Sequence, residues 1–193
     1  MGKARPSLGQ QVHSWARSRV GQRVGTGECF DLADRALRDA GARTAEDYGA
    51  VTPDADYQWG DSIALAQVQA GDVLQFRNSS VTVRVVVTRV RTFRDGSTEE
   101  SEEETYQTYE RPHHTAIVSG RSGSGRLQVL EQNVPSPGAT APERVVRQHE
   151  LHTASSTTTE SRAYQEGGGT VRETRTTTIT VSGTIRAYRP RPK

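Results

Sequence analysis

At 193 residues the chain has the length for one domain and one core. Leu, Ile, Val and Phe supply only 34 residues, yet the net charge of +2 does not complete the signature of disorder, so a modest core with polar extensions is expected. The balance of 25 basic against 23 acidic residues leaves nucleic acid and membrane unsupported as partners, and a lone cysteine excludes an internal disulfide or a Cys-rich zinc site.

The first residues, Met1 to Gln10, hold no apolar signal-peptide core, and no run reaches membrane-spanning length. The expected location is therefore the cytoplasm, or outside by a route without a cleavable signal peptide. Ser7-Leu8-Gly9-Gln10 spells a capping box, and Leu8, Val12, Trp15, Ala16 and Val20 follow at helical spacing, so a first helix should run toward Gly21. Thr26 or Gly27 can cap a second helix. On it Cys29, Leu32, Ala33, Ala36, Leu37 and Ala40 share a face, and Gly41 supplies the stop.

A short helix is predicted from Ser62 to Val68, before Ala70-Gly71-Asp72 turns into the strand Val73 to Phe76. Val81 to Phe93 and Thr98 to Glu110 read as a long hairpin about Asp95-Gly96, an arm spanning 81–110. A tight turn there sets Arg91 against Glu100, Arg89 against Glu102 and Val85 against Tyr106. A second hairpin, Thr115 to Ser119 with Arg126 to Asn133, puts His114 opposite Glu131 when Ser119 faces Arg126, with Asn133 on the same side. Pro135 to Pro142 is a loop, a third hairpin spans 151–188, and Arg189 to Lys193 is expected to fray.

Chemistry concentrates in three islands: Gly25-Thr26-Gly27-Glu28-Cys29-Phe30, His113-His114-Thr115-Ala116-Ile117-Val118 and Val129-Leu130-Glu131-Gln132-Asn133. A thiol attacks an acyl carbon as thiolate, and a helix N-terminus and an imidazole both favour that form. Cys29 is thus the candidate nucleophile and His114 the candidate base, with Glu131 or Asn133 to orient the ring. A buried packing role for Cys29 is the plain alternative. His113 falls on the opposite face, and His13, His149 and His152 read as surface residues. The acidic run Glu99 to Glu104 reads as a solvated strand face, since no glycine-containing calcium loop accompanies it. Trp59 either floors a substrate cleft or fills the core. No metal or other cofactor is expected.

These motifs, together with Trp59-Gly60 and Ala70-Gly71-Asp72-Val73-Leu74-Gln75-Phe76, resemble CHAP amidase/peptidase domains of the papain-like and NlpC/P60 group. A closing Gly183-to-Pro190 segment is also similar to the cysteine-proteinase-fold domain of a fungal actin-patch, myosin-tail-interacting protein. The resemblance implies a single α+β, papain-like domain over 1–193, with N-terminal helices carrying the Cys packed on an antiparallel sheet. It implies Cys29, His114, Glu131 and Asn133 as catalytic groups and Trp59 and Glu28 as substrate contacts. The expected activity is hydrolysis of an amide bond, in a peptide or a peptidoglycan stem peptide, through a Cys29 thioester. The competing expectation is an interaction or assembly module that uses its β-arms to bind a protein partner or a second copy of itself.

Overall fold

The computed structural model describes residues 5–135 and 141–193, so most of the proline loop lies outside the described residues. The chain divides into two compact units. Unit one comprises 1–79, 111–153 and 183–193, and unit two 80–110 and 154–182.

Helix α1 (Leu8–Arg17) begins as its sequence dictates. The Gln10 N–H donates to the Ser7 hydroxyl, and the Ser7 N–H donates to the Gln10 side chain at 2.7 Å. Helix α2 (Cys29–Asp39) has Glu28 as its N-cap, not Thr26 or Gly27. The reason is Asp31, whose carboxylate accepts from both the N–H and the hydroxyl of Thr26 at 2.7 Å and draws the preceding loop over the helix mouth. At the far end Gly41 takes φ 70°. Its N–H reaches Arg38 O while the Ala42 N–H reaches Leu37 O, the two bonds of a Schellman stop.

The helix expected at Ser62 to Val68 does not form. Strand β1 (Asp61–Ile63) and one 3-10 turn at Leu65–Gln67 stand there instead. Seven residues are too few to nucleate a stable helix, and β1 finds backbone partners elsewhere. The remaining strands are β2 (Val73–Phe93), β3 (Thr98–Gly123), β4 (Arg126–Glu131), β5 (Val134–Pro135), β6 (Pro142–Glu143), β7 (Arg147–His152), β8 (Ser156–Glu166) and β9 (Gly169–Arg189). The main sheet runs β1-β9-β2-β3-β4-β7, β8 joins β9, and β5 pairs with β6.

In unit one, neighbouring strand residues go to different clusters, as the period of two requires. Val73, Ile117 and Leu130 join Val12, Leu32, Leu37 and Trp59, which ties the strands to both helices. Leu74, Phe76, Ala116, Val118, Val129 and Leu151 form the other cluster. The C-terminal residues are tied down, contrary to expectation. β1 pairs with the end of β9, Arg189 forks onto Asp72 at 2.9 and 3.2 Å, and the Lys193 N–H bonds Gly41 O. Gly71 in the preceding turn has φ 92° and lies against the Gly9 backbone, where no Cβ would fit.

Unit two contains the forecast hairpin with its register moved by one residue. Phe93 N–H bonds Ser97 O at 2.9 Å around a three-residue turn closed by Gly96 at φ 86°. Contacts accordingly join Arg91 to Glu99, Arg84 to Tyr106 and Thr82 to Thr108, replacing the expected Arg91–Glu100, Arg89–Glu102 and Val85–Tyr106. The last hairpin is shorter than 151–188. It pairs Ser156–Glu166 with Gly169 to Ile179, whereas Leu151 belongs to β7 and pairs with β4 in unit one.

Candidate functional site

All the groups expected to share a site lie in unit one. β3 and β4 pair with Ile117 opposite Leu130 and Val118 opposite Val129, then shift between Val118 and Gly120 and between Arg121 and Gly123. Those irregularities displace the forecast Ser119–Arg126 register. The displacement at Ile117 is an even number of residues, so continuing the strand leaves His114 and Glu131 on one side, diagonally related. Their side chains meet, with His114 Nε2 3.0 Å from Glu131 Oε2.

Cys29 lies by the same ring, where thiol and imidazole shift each other's ionisation. Burial pushes the Cys29 thiol up, but the His114 hydrogen bond and charge, with the Thr115 and Phe30 backbone N–H groups, outweigh it and lower the pKa. The Phe30 N–H belongs to the first turn of α2, so the helix mouth contributes as its position predicts. Burial pushes His114 down, yet Cys29 and Glu131 raise it to about 9. Between these two titrations the pair is thiolate and imidazolium.

Glu131 has no exposed surface. Burial alone would raise its pKa, but Arg111 and His114 hold its carboxyl well below the usual carboxylate range. Arg111 forks onto it, Nε to Oε2 at 3.1 Å and Nη2 to Oε1 at 2.5 Å. His149 stands 4.0 Å from the same carboxylate, half-buried, and burial keeps it below the ordinary imidazole value. His149 is therefore a neighbour of the site and not the surface residue its sequence suggested.

Three of the expected site residues make other contacts. Asn133 takes φ 63° just beyond β4, and its Nδ2 donates to Glu28 Oε2 at 2.7 Å, so the ring of His114 is held by Glu131. Trp59 is 0 % exposed, donates Nε1–H to Gln75 Oε1 at 3.0 Å and packs against Phe30 and Tyr57, which places it in the core and not on the floor of an open cleft. Glu28 is half-exposed and pairs with Arg144 at 3.3 Å. His113 bonds Ala55 O at 2.7 Å beside Tyr57, apart from His114's partners.

Sequence reasoning passed over Arg111 and Gln132. Buried Gln132 copies a strand partner: its Oε1 accepts from the Val24 N–H at 3.2 Å, and its Nε2 donates to Val24 O at 3.0 Å and Glu28 O at 2.6 Å. It thereby fixes the segment that delivers Cys29. Gln132 lies next to Glu131 in the third island, so adjacency was a signal. Arg111 lies three residues before His114, between the strand forecast to end at Glu110 and the one forecast to begin at Thr115, and no local pattern marked it. Among the described residues no cluster of three or more His, Cys, Asp or Glu is placed to hold a metal, and no helix is long and apolar enough to cross a membrane.

Over residues 1–193 the chain matches the family described as the AIM3/BBC1 cysteine proteinase-fold domain. The chain belongs to that family. It is also similar to Altered inheritance of mitochondria protein 3 of Debaryomyces hansenii, at 30% identity over 138 residues, which is 66% of this chain and 13% of that protein. The chain thus spans a small part of the curated relative it matches. No solved structure matches it. The cysteine-proteinase fold and the fungal half of the resemblance follow from these matches; the CHAP and NlpC/P60 half, with its cell-wall substrate, does not.

Proposed function

We propose that this chain is a protein-interaction domain built on a papain-like cysteine-proteinase fold, binding extended peptide segments as one part of a larger protein. The observation that supports it is unit two. Residues 80–110 and 154–182 form a compact unit that includes none of the Cys29, His114, Glu131 and Arg111 constellation. Thiol chemistry has no need of long strands with free edges, whereas strand addition does. The test is selection from a displayed random-peptide library on the 193-residue chain and on Cys29→Ala. Extended binders held equally by both are expected. A library that yields no binder, or binders lost with Cys29, overturns the interaction reading.

A second reading rests on the nearness of Cys29 and His114, in which each group favours the charged form of the other. In it Cys29 attacks an amide carbonyl, the amine leaves with a proton from His114, and water admitted by His114 as base cleaves the thioester. Glu131 would keep the imidazolium oriented, itself fixed by Arg111. Iodoacetamide reports the ionisation directly. Cys29 should alkylate rapidly at mildly acidic pH, where an ordinary thiol of pKa about 8.5 is protonated. His114→Ala should move the onset of alkylation upward toward that ordinary value. A thiol that stays inert until denaturation removes this reading. Cysteine-dependent turnover of a peptide library would raise it above the first.

A further inference from the structure

Two strand edges of unit two have no backbone partner among the described residues, and they differ in kind. Beyond the stretch paired by β4, the outer edge of β3 carries Glu99, Glu100, Glu102, Glu103 and Glu104. Two such edges brought together antiparallel would set carboxylate against carboxylate, so this edge is guarded. The edge of β8 has no such guard. It is eleven residues long, pairs only with β9, keeps one uninterrupted register, and contains neither proline nor lysine.

The direction of its backbone groups follows from the turn. Gly167 and Gly168, at φ 58° and 78°, close a two-residue loop, so Glu166 and Gly169 form a hydrogen-bonded pair. Pairs then alternate along the ladder, which makes Ser161–Thr174 and Thr159–Thr176 non-hydrogen-bonded pairs of closer approach. Their hydroxyls touch at 3.1 and 3.2 Å, in agreement. Thr157, Thr159, Ser161, Ala163 and Gln165 accordingly turn their N–H and C=O groups outward.

We infer that β8 is a self-pairing edge, on which a second copy of this chain adds its own β8 antiparallel about a two-fold axis through Ser161. This deepens the interaction reading, which it takes as its basis. Outward residues must pair with outward residues, so the registers available differ in steps. With Ser161 opposite its counterpart, each Glu160 faces Arg162 of the other copy, twice over. One step either way sets Glu160 against Glu160 or Arg162 against Arg162. Charge therefore selects the central register. Arg162 already bonds Glu173 at 2.8 Å yet is mostly exposed, so it can also meet a carboxylate from the other copy. The five outward residues of each strand would exchange about ten backbone hydrogen bonds. The closed two-fold consumes both β8 edges and leaves unit two with the guarded β3 edge, so assembly through unit two stops at two.

Analytical ultracentrifugation of the 193-residue chain at high micromolar concentration should show a dimer. Ser161→Pro removes an outward N–H without touching the β9 ladder, and should yield a monomer with an unchanged circular-dichroism spectrum. Register is read by cross-linking in a Cys29→Ser background. Ser161→Cys should oxidise to a covalent dimer, because facing Cα atoms of such a pair lie about 5.5 Å apart. Ala163→Cys should not, since the two copies of that position would be about 13 Å apart. A wild-type monomer, higher oligomers, a Ser161→Pro dimer, or Ala163→Cys cross-linking as fast as Ser161→Cys would each overturn the proposal. If Ser161→Pro fails to fold, the two cysteine variants still decide. A monomer that still selects extended peptides would remove self-pairing and leave the interaction reading standing.

Discussion

The two units handle charge in opposite ways. In unit one Glu131 is sealed from solvent and answered by Arg111, His114 and, farther off, His149, while Asp72 with 2 % exposure holds Arg189. In unit two Arg84 and Arg91 reach glutamates across strands at the surface, Glu173 with 8 % exposure is the exception and is shared by Arg89 and Arg162, and hydroxyl contacts such as Thr82–Thr108 and Thr159–Thr176 run along the ladder. Buried charge in a low-dielectric site has few substitutes when a partner is lost, whereas exposed pairs are screened and replaced by water. The contrast says where this fold is brittle and where it tolerates change.

The brittle side gives the largest expected effect. Arg111→Met leaves Glu131 buried with its fork gone, and should cost about 3–5 kcal/mol of unfolding free energy in urea titration. It should also change the acid limb of stability. Glu131 has a folded pKa below its unfolded value, so its contribution is present above the ordinary carboxylate range and lost as pH falls through the folded value. Without Arg111 that depression shrinks, and the variant's stability should depend less steeply on acid pH than the wild type's. Unchanged stability together with an unchanged acid limb would mean that Arg111 does not hold the carboxylate.

Gln132→Ala tests the same network one step from the charge. It removes three hydrogen bonds to the Val24-to-Glu28 segment and leaves the Val24 N–H without its acceptor, while Val24 O and Glu28 O keep the N–H groups of Gly27 and Asp31, at an expected cost of about 1–3 kcal/mol. A purely structural role would stop there. If Gln132 positions Cys29, alkylation at mildly acidic pH should also slow several-fold under conditions where the variant is fully folded, because the helix mouth no longer presents its N–H groups to the sulfur.

Much of unit one could be read from the sequence because its signals are local. Ser7 and Gln10 fix one helix start, Gly41 fixes the other helix end, and alternation along Thr115 to Ser119 and Arg126 to Glu131 gives the faces. Cys29, His114 and Glu131 converge because parity survives an even register shift. The shifts between Val118 and Gly123 were not legible, since an irregularity depends on how β3 meets β4 and not on residue type. Arg111 and His149 were missed for the same reason: each matters through one long-range contact with Glu131. In unit two the presence of hairpins was legible from Gly96 and Gly167-Gly168, but a three-residue turn in place of a two-residue one moved every facing pair by one.

The smallest effect belongs to the tolerant side and completes the comparison. Thr176→Ala removes one hydroxyl contact from an exposed ladder, and cross-strand pairs of this sort contribute about 0.2–1 kcal/mol. Water can satisfy the Thr159 hydroxyl that is left, so nothing is buried unpaired. The urea midpoint should move slightly, and Cys29 alkylation should keep its rate and its pH onset, because Thr176 is a unit-two residue and touches none of the groups that set the thiol's ionisation. A loss comparable to that of Arg111→Met would show that the ladder carries stability its exposure does not suggest. A changed alkylation onset would show that the two units are coupled energetically, and the separation drawn between brittle site and tolerant strands would have to be given up.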